Sequence, residues 1–274
     1  MRLAERLLLS LSHAPAASGG DDTSQARDLT HALDELDAVY PDFTARIRGR
    51  RVLDFGSGLG RQAVALAKRG AAEVLGVEIN RHALEHAESL AAEAGVADRV
   101  HFTPRLEANQ RGRYDVVISL NSMEHFSHPA AILSIMCDAL HPEGELLISF
   151  SPPWYAPYGS HMAYFTSLPW VHLLFSERTV MAVRSRYRSD GAMRYEEVEG
   201  GLNRMSLAKF ERLIADFGLS PSLLRYDTVK GIPMVDRIPV LRELLVNRVT
   251  CALKPAAQAR RTQASAADVQ PQLQ

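Results

Sequence analysis

An α/β fold with a doubly wound, mostly parallel sheet is predicted by three features of the 274-residue sequence. Short apolar runs alternate with amphipathic helical patterns, the rhythm of parallel strands joined by crossover helices. The run VLDF at 52–55 leads into a turn with glycine at 56, 58 and 60, and then into the helical pattern QAVALAKRG. Finally, carboxylates stand at two strand ends, Asp54 and Glu78, on the edge where open α/β sheets bind their ligands.

Taken in order, the chain opens with MRLAERLLLSLSHAPAAS, in which arginines precede leucines and small residues follow. That resembles a secretory leader, yet the apolar core at 7–11 is short, broken by Ser10 and preceded by Glu5, so an amphipathic helix is the expectation. A linker at 13–23 precedes a second helix at 24–39, with Leu29, Leu33 and Leu36 at helical spacing, Ser24 as N-cap and Pro41 as stop. This helix either packs beside the sheet or forms a lid over the pocket. Strands are expected at 51–55, 73–78, 100–103, 114–120 and 145–150. Asn80 caps a helix at 81–94 that Gly95 ends, and another helix runs over 129–140. The continuous apolar run YDVVISL marks a central strand buried on both faces.

The alternation stops after Phe150. Residues 151–204 carry both tryptophans and four spaced prolines, which forbid long regular strands. Ser206 then caps a helix to Phe217, a strand follows at 219–228, and a last strand at 246–253 comes after a second insertion at 231–245. The expected division is a helical segment at 1–50, one domain at 51–254 with insertions 151–205 and 231–245, and a disordered tail at 255–274 rich in alanine, glutamine and serine.

Composition narrows the function classes. With 46% apolar residues the chain can bury a full core, and a net charge of −1 gives no pull toward nucleic acid or anionic membrane. Its two cysteines, Cys137 and Cys251, lie in apolar runs and imply no disulfide framework. No stretch is long enough to span a membrane. A cytoplasmic protein without stable membrane insertion is expected, and no metal-ligand set is read from the sequence.

The glycine turn suits a nucleotide-type ligand. Glycine lets backbone approach a ligand closely, and the amides of the following helix face it. A dinucleotide loop needs glycine at 61, where Arg61 stands, and its pyrophosphate would lie beside Asp54 at a Coulombic cost. Glu78, ending the second strand, suits a ribose diol.

These segments together resemble a class I S-adenosylmethionine-dependent methyltransferase. DFGSGLG at 54–60 resembles the family's acidic glycine motif, and Glu78 its ribose-binding acid. YDVVISLNSMEHF at 114–126 resembles the fourth-strand motif, and LHPEGELLIS at 140–149 the segment leading into the fifth strand. The resemblance implies a Rossmann-like sheet of seven strands with an antiparallel last strand, and S-adenosylmethionine as cofactor. It further implies that Gly56, Gly58 and Gly60 form the turn against the methionine part, with Asp54 supporting that loop or the amino group. Glu78 would hold the ribose, Ile79 would flank the adenine, and Asn121 would face the amino-acid end or the methyl group. The adenine amino contact expected near Leu106 falls instead to Glu107 or to the Leu106 backbone.

The insertion after the fifth strand starts at the cofactor edge and is read as an acceptor cap. Trp154, Tyr155, Tyr158, Tyr164, Phe165 and Trp170 either line a pocket or form the insertion's own core. His161 is the first candidate for a general base and His172 the second, while the Glu124–His125 pair closes the fourth strand or supplies a further base, His125. Arg184, Arg186 and Arg188 form a solvated face or bind an acidic group of the acceptor. The resulting expectation is methyl transfer to an oxygen, or secondarily a nitrogen, of a small or medium-sized metabolite. A lipid-like acceptor, a non-catalytic cofactor-binding subunit and a dinucleotide oxidoreductase are the alternatives.

Overall fold

The computed structural model describes residues 2–13, 28–198, 200–232, 235 and 238–255. The elements follow in the order α1 (Leu3–Ser10), α2 (Asp34–Val39), α3 (Phe43–Ile47), β1 (Arg51–Phe55), α4 (Arg61–Arg69), β2 (Glu73–Val77), α5 (Arg81–Glu93), β3 (Val100–Thr103) and β4 (Tyr114–Leu120). They continue through α6 (Pro129–Ala139), β5 (Leu140–Phe150), α7 (Val171–Leu174), α8 (Glu177–Arg184), α9 (Leu207–Asp216), β6 (Leu219–Thr228), α10 (Pro239–Leu245) and β7 (Val246–Pro255).

Seven strands form one sheet in the order β3-β2-β1-β4-β5-β7-β6. The first five pair in parallel, and β7 runs antiparallel to both neighbours, β5 and β6. The strand order reverses between β1 and β4, which opens a crevice at their carboxyl ends. Successive residues of β1 serve opposite faces, as the period of a strand requires. Val52 packs with α2, α3, α4 and α5, and Leu53 and Phe55 pack with α6 and α9.

The insertion makes a third core of its own. Trp154, Phe165, Val180, Tyr195 and Leu202 cluster there, and α1 docks on it through the fully buried Leu8. A bridge between Ser12 and Thr166 and the bond from the His13 amide to the Phe165 carbonyl (2.9 Å) fasten the amino-terminal segment to the cap. Among the described residues no helix is long and apolar enough to cross a membrane.

Two elements depart from the sequence expectation. The described helix before the sheet begins at Asp34, while Ser24 and its cap fall outside the described residues. The Asp28 carboxylate takes the Thr30 amide (2.8 Å), a local turn that competes with helix. Strand β5 begins at Leu140, because Leu140 already pairs with Tyr114 before the His141–Gly144 segment detours and pairing resumes at Val116–Glu145. A side chain at Gly144 would come within 2.8 Å of the Asp115 carbonyl, so the detour lies tight on β4. The expected tail at 255–274 lies outside the described residues beyond Pro255.

Candidate active site

Three turn glycines carry the chain from β1 to α4 with positive φ, at 87°, 51° and 81° for Gly56, Gly58 and Gly60. At two of them space as well as torsion excludes a side chain. A Cβ on Gly56 would lie 2.6 Å from Ser122 Oγ, and one on Gly60 would lie 2.5 Å from the Ala87 Cβ. The turn therefore packs between the end of β4 and helix α5. The Gly56 and Ser57 amides both donate to the Val77 carbonyl (2.9 and 3.0 Å), joining the turn to the end of β2.

Glu78 follows immediately and accepts from the Gly58 amide (3.0 Å) and the Asn80 amide (2.8 Å), so its carboxylate is fixed against the turn. Asn80 caps α5 through its side chain, which accepts from the His82 and Ala83 amides. Asp54 lies beneath, 1% exposed, with one oxygen accepting from Gln62 Nε2 (2.7 Å) and Oδ2 left without a partner. Burial pushes its carboxyl up to about 7; the Gln62 bond opposes this, and the nearby Glu78 charge adds to it. Ile79 stands 87% exposed beside Glu78. The donor set is thus two carboxylates, a glycine turn and a bare apolar side chain. It fits a ligand with an ammonium, a ribose and an apolar base, which is the make-up of S-adenosylmethionine.

Asn121, at φ 48° past β4, donates to Glu35 of α2 (3.1 Å), and Arg248 of β7 donates to the other Glu35 oxygen (2.6 Å). Arg61 reaches the Asp28 carbonyl (2.8 Å), so the segment ahead of the sheet borders the crevice. Glu107 stands apart. It pairs with Arg105 (3.2 Å) and lines a cavity of about 250 Å³ against α6, whereas Leu106 packs against the core.

A second cluster forms where the segment after β4 meets the cap. One ligating atom from each of Glu124, His125 and His161 lies within 4.8 Å of the others. Glu124 is 3% exposed and accepts from the Ser151 amide (3.2 Å), while its Oε2 has no partner. Burial raises its pKa, with His125 acting in the other direction. The rings of His125 and His161 meet edge to face at 5.2 Å. His125 Nδ1 lies 2.7 Å from the Gly201 carbonyl, which can only accept, so this nitrogen carries a proton and the neutral tautomer that fits has its lone pair on Nε2. His161 has φ 57° and a buried Nε2 without a partner. Burial first, and the neighbouring His125 second, lower its pKa to about 4.

The aromatic residues of the insertion divide. Trp154 and Phe165 belong to its core, Trp154 edge-on to Tyr195 and Phe165 stacked on Tyr187. Trp170 Nε1 donates to the Tyr155 carbonyl (3.1 Å) and the Tyr158 hydroxyl to the Ser167 carbonyl (3.2 Å), so both tie loop backbone together. His172 is buried, with Nε2 bonded to the Trp154 carbonyl (2.6 Å). Of the six, Tyr164 lines the cavity of about 200 Å³ that opens beside His125 and His161. Sequence reasoning passed over Ser160, which belongs to no recognisable motif, and paired Glu124 with His125 without bringing His161 to them.

Comparison with known proteins bears on the fold and the cofactor class. The family described as "Methyltransferase domain" matches residues 26–222. Among curated proteins, the ubiquinone biosynthesis O-methyltransferase of Neisseria meningitidis serogroup C (strain 053442) is 37% identical over 131 residues, 47% of this chain and 55% of that protein. That of Ralstonia nicotianae is 32% identical over 131 residues, 47% and 54% respectively. The chain thus spans about half the length of the curated relatives it matches. An S-adenosylmethionine-dependent methyltransferase from Mesorhizobium loti superposes with a TM-score of 0.53 at 16% identity, over 82% of this chain and 99% of that one. Magnesium protoporphyrin IX methyltransferase from Synechocystis PCC 6803 with bound SAH gives 0.50 at 16%, over 85% and 84%. At such identities the likeness is one of fold.

Proposed function

The chain belongs to the methyltransferase-domain family of class I S-adenosylmethionine-dependent enzymes, and from that premise we propose that it methylates an oxygen, or secondarily a nitrogen, of a small or medium-sized metabolite. When bound, S-adenosylmethionine supplies a methyl carbon on a positively charged sulfur, already activated for displacement. The protein's work is then to hold cofactor and acceptor in line and to take the acceptor's proton. In this proposal Asp54 faces the ammonium, Glu78 the ribose, and Ile79 the base, while Gly56 and Gly58 let backbone approach the amino-acid part. Asn121 borders the reacting end. Glu107, turned to Arg105 and the α6 side, leaves the adenine edge to Leu106.

The observation that favours an oxygen acceptor is the tautomer of His125. Its Nδ1 proton is engaged by the Gly201 carbonyl, so Nε2 is free to accept the proton of a hydroxyl. His161, packed against the His125 ring and lowered to about 4, stays neutral at pH 7 and positions that ring rather than competing as a base. The names of the two curated relatives given above, both ubiquinone biosynthesis O-methyltransferases, support the same choice.

The test uses purified protein and labelled S-adenosylmethionine with a metabolite extract, followed by variants on whichever acceptor is labelled. His125→Ala should lower kcat by about 10²- to 10⁴-fold, with S-adenosylhomocysteine affinity nearly intact. His161→Ala should cost less. Full turnover in His125→Ala would remove the base from the proposal, and failure to bind S-adenosylhomocysteine would remove the site.

A further inference from the structure

The cavity beside His125 has an unusual lining. Ser160 Oγ and His161 Nε2 are buried without a hydrogen-bond partner, Tyr164 OH and Arg184 Nε have none of good geometry although the Tyr164 hydroxyl interacts with Arg184 and Arg188, and Ser160, His161, Tyr164 and Arg184 all line this one cavity. Ser160 is fully buried, so its hydroxyl cannot turn to solvent. Buried polar atoms normally find partners, and several unpaired atoms around one space are best explained by a ligand that supplies them.

The charges say which kind of ligand. No carboxylate lines the cavity. Arg184, 4% exposed, is held by a bidentate pair to Asp190 (2.6 and 2.5 Å), which uses a bond from each terminal nitrogen and leaves Nε outside the pair. Asp190 balances the charge of Arg184. Arg188 adds one more positive charge, its guanidinium 5.0 Å from the centre of the Tyr164 ring at the solvent side. Beyond the Arg184–Asp190 pair the lining carries the one positive charge of Arg188, Glu124 behind the two histidines is raised in pKa by burial, and Ser160 and Tyr164 add hydroxyl donors, which matches a single carboxylate.

Position fixes its relation to the chemistry. The glycine turn lies against Ser122, the His125 amide bonds to the Ser122 carbonyl (2.9 Å), and His125 is part of the cavity lining, so one short segment joins the turn to the cavity. The donors of Ser160, Tyr164 and the two arginines complete the lining. At about 200 Å³ the space is below the ~300–1,000 Å³ usual for drug-sized ligands and takes a single small ring or a short chain.

Resting on the methyl-transfer reading above, we propose that the acceptor is a small carboxylic acid, its carboxylate held by Arg188, Tyr164, Ser160 and Arg184 Nε and its methyl-accepting oxygen presented to His125. Without that carboxylate the cavity keeps its unpaired donors, so a neutral analogue of the same shape is rejected.

Calorimetry on the full chain saturated with S-adenosylhomocysteine tests this with matched probes: benzoate against benzamide, 4-hydroxybenzoate against 4-hydroxybenzamide, and phenyl phosphate. At least one acid should bind about tenfold or more tightly than its amide, and Arg188→Gln, an exposed position, should abolish the difference while S-adenosylhomocysteine affinity stays within about twofold. Equal binding of acid and amide, no acid binding at millimolar concentration, or discrimination that survives in Arg188→Gln would overturn the proposal. Tighter binding of phenyl phosphate than of any acid would replace carboxylate by phosphate. Loss of S-adenosylhomocysteine binding in the unaltered chain would instead defeat the methyl-transfer reading, and this inference with it.

Discussion

The turn after β1 and the cap after β5 contribute to the same edge of the sheet by opposite means. The turn is local: Asp54, the glycines and Glu78 lie within 25 residues, and backbone amides make most of the contacts. The cap gathers side chains from distant places, with Leu8, Trp154, Val180 and Tyr195 in one core and His125 reaching it from the end of β4. A local, backbone-built site tolerates few changes at its glycines and is insensitive to what happens elsewhere. A site assembled by packing depends on the whole of its support, so the two halves should fail separately.

The largest effect expected is at Gly60. Its φ of 81° disfavours any side chain, and a methyl there would meet both Cβ and backbone of Ala87. Gly60→Ala should cost about 2–4 kcal/mol from strain and overpacking and abolish S-adenosylhomocysteine binding, read by thermal melts and calorimetry. Trp154→Ala probes the other half. It removes a ring that touches His172 and Tyr195, at a cost of about 3–5 kcal/mol within the cap core. Acceptor turnover should collapse while S-adenosylhomocysteine affinity survives; loss of both together would show that the halves are one cooperative unit.

A pH dependence follows for each half, with opposite sign: His161 in the cap, lowered to about 4, costs stability as pH falls below the ordinary imidazole range, and Asp54 in the turn does the reverse. Asp54, raised from 3.8 to about 7, takes up a proton on folding, so its contribution to the stability of the ligand-free fold falls as pH rises through that interval and levels off above it. A bound ammonium favours the ionised carboxylate, so S-adenosylhomocysteine affinity should rise by up to about tenfold between pH 6 and 8. Asp54→Asn should remove both contributions and weaken binding at pH 8. A difference in melting temperature between wild type and Asp54→Asn that is flat from pH 5 to 8 would count against the buried, unpaired oxygen.

The same contrast explains what could be read from sequence. Strand β1, the turn and Glu78 were legible because their residues are neighbours and their spacing is dictated by backbone geometry. The seven-stranded sheet with an antiparallel last strand came from the resemblance of four ordered segments and stands in the structure, which adds its order, β3-β2-β1-β4-β5-β7-β6. The convergence of Glu124, His125 and His161 was not legible, since His161 comes 36 positions after His125, beyond α6, β5 and an irregular stretch of the insertion, and no periodicity governs the pair. Nor was the docking of α1 on the cap: an amphipathic helix forecasts a buried side, but neither that Leu8 would be buried while Leu7 and Leu11 stay exposed nor against which element. Ser160 could be recognised only by the absence of a partner.

The smallest expected effects separate the halves most cleanly, because they perturb without dismantling. Asn80 caps α5 beside Glu78, and Ser176 caps α8 in the cap by accepting the Thr179 amide (3.3 Å). Replacing either by alanine should cost about 1 kcal/mol of stability, visible as similar small drops in melting temperature. Their functional consequences should differ. Asn80→Ala loosens the start of the helix that follows Glu78 and should raise the S-adenosylhomocysteine Kd about two- to threefold, a fraction of the stability lost, with acceptor KM unchanged. Ser176→Ala loosens α8, which carries Arg184 to the cavity wall, and should raise acceptor KM by a similar factor with cofactor affinity unchanged. If both variants shifted both constants equally, the turn and the cap would share one cooperative support, and the independence inferred from their separate cores would be wrong.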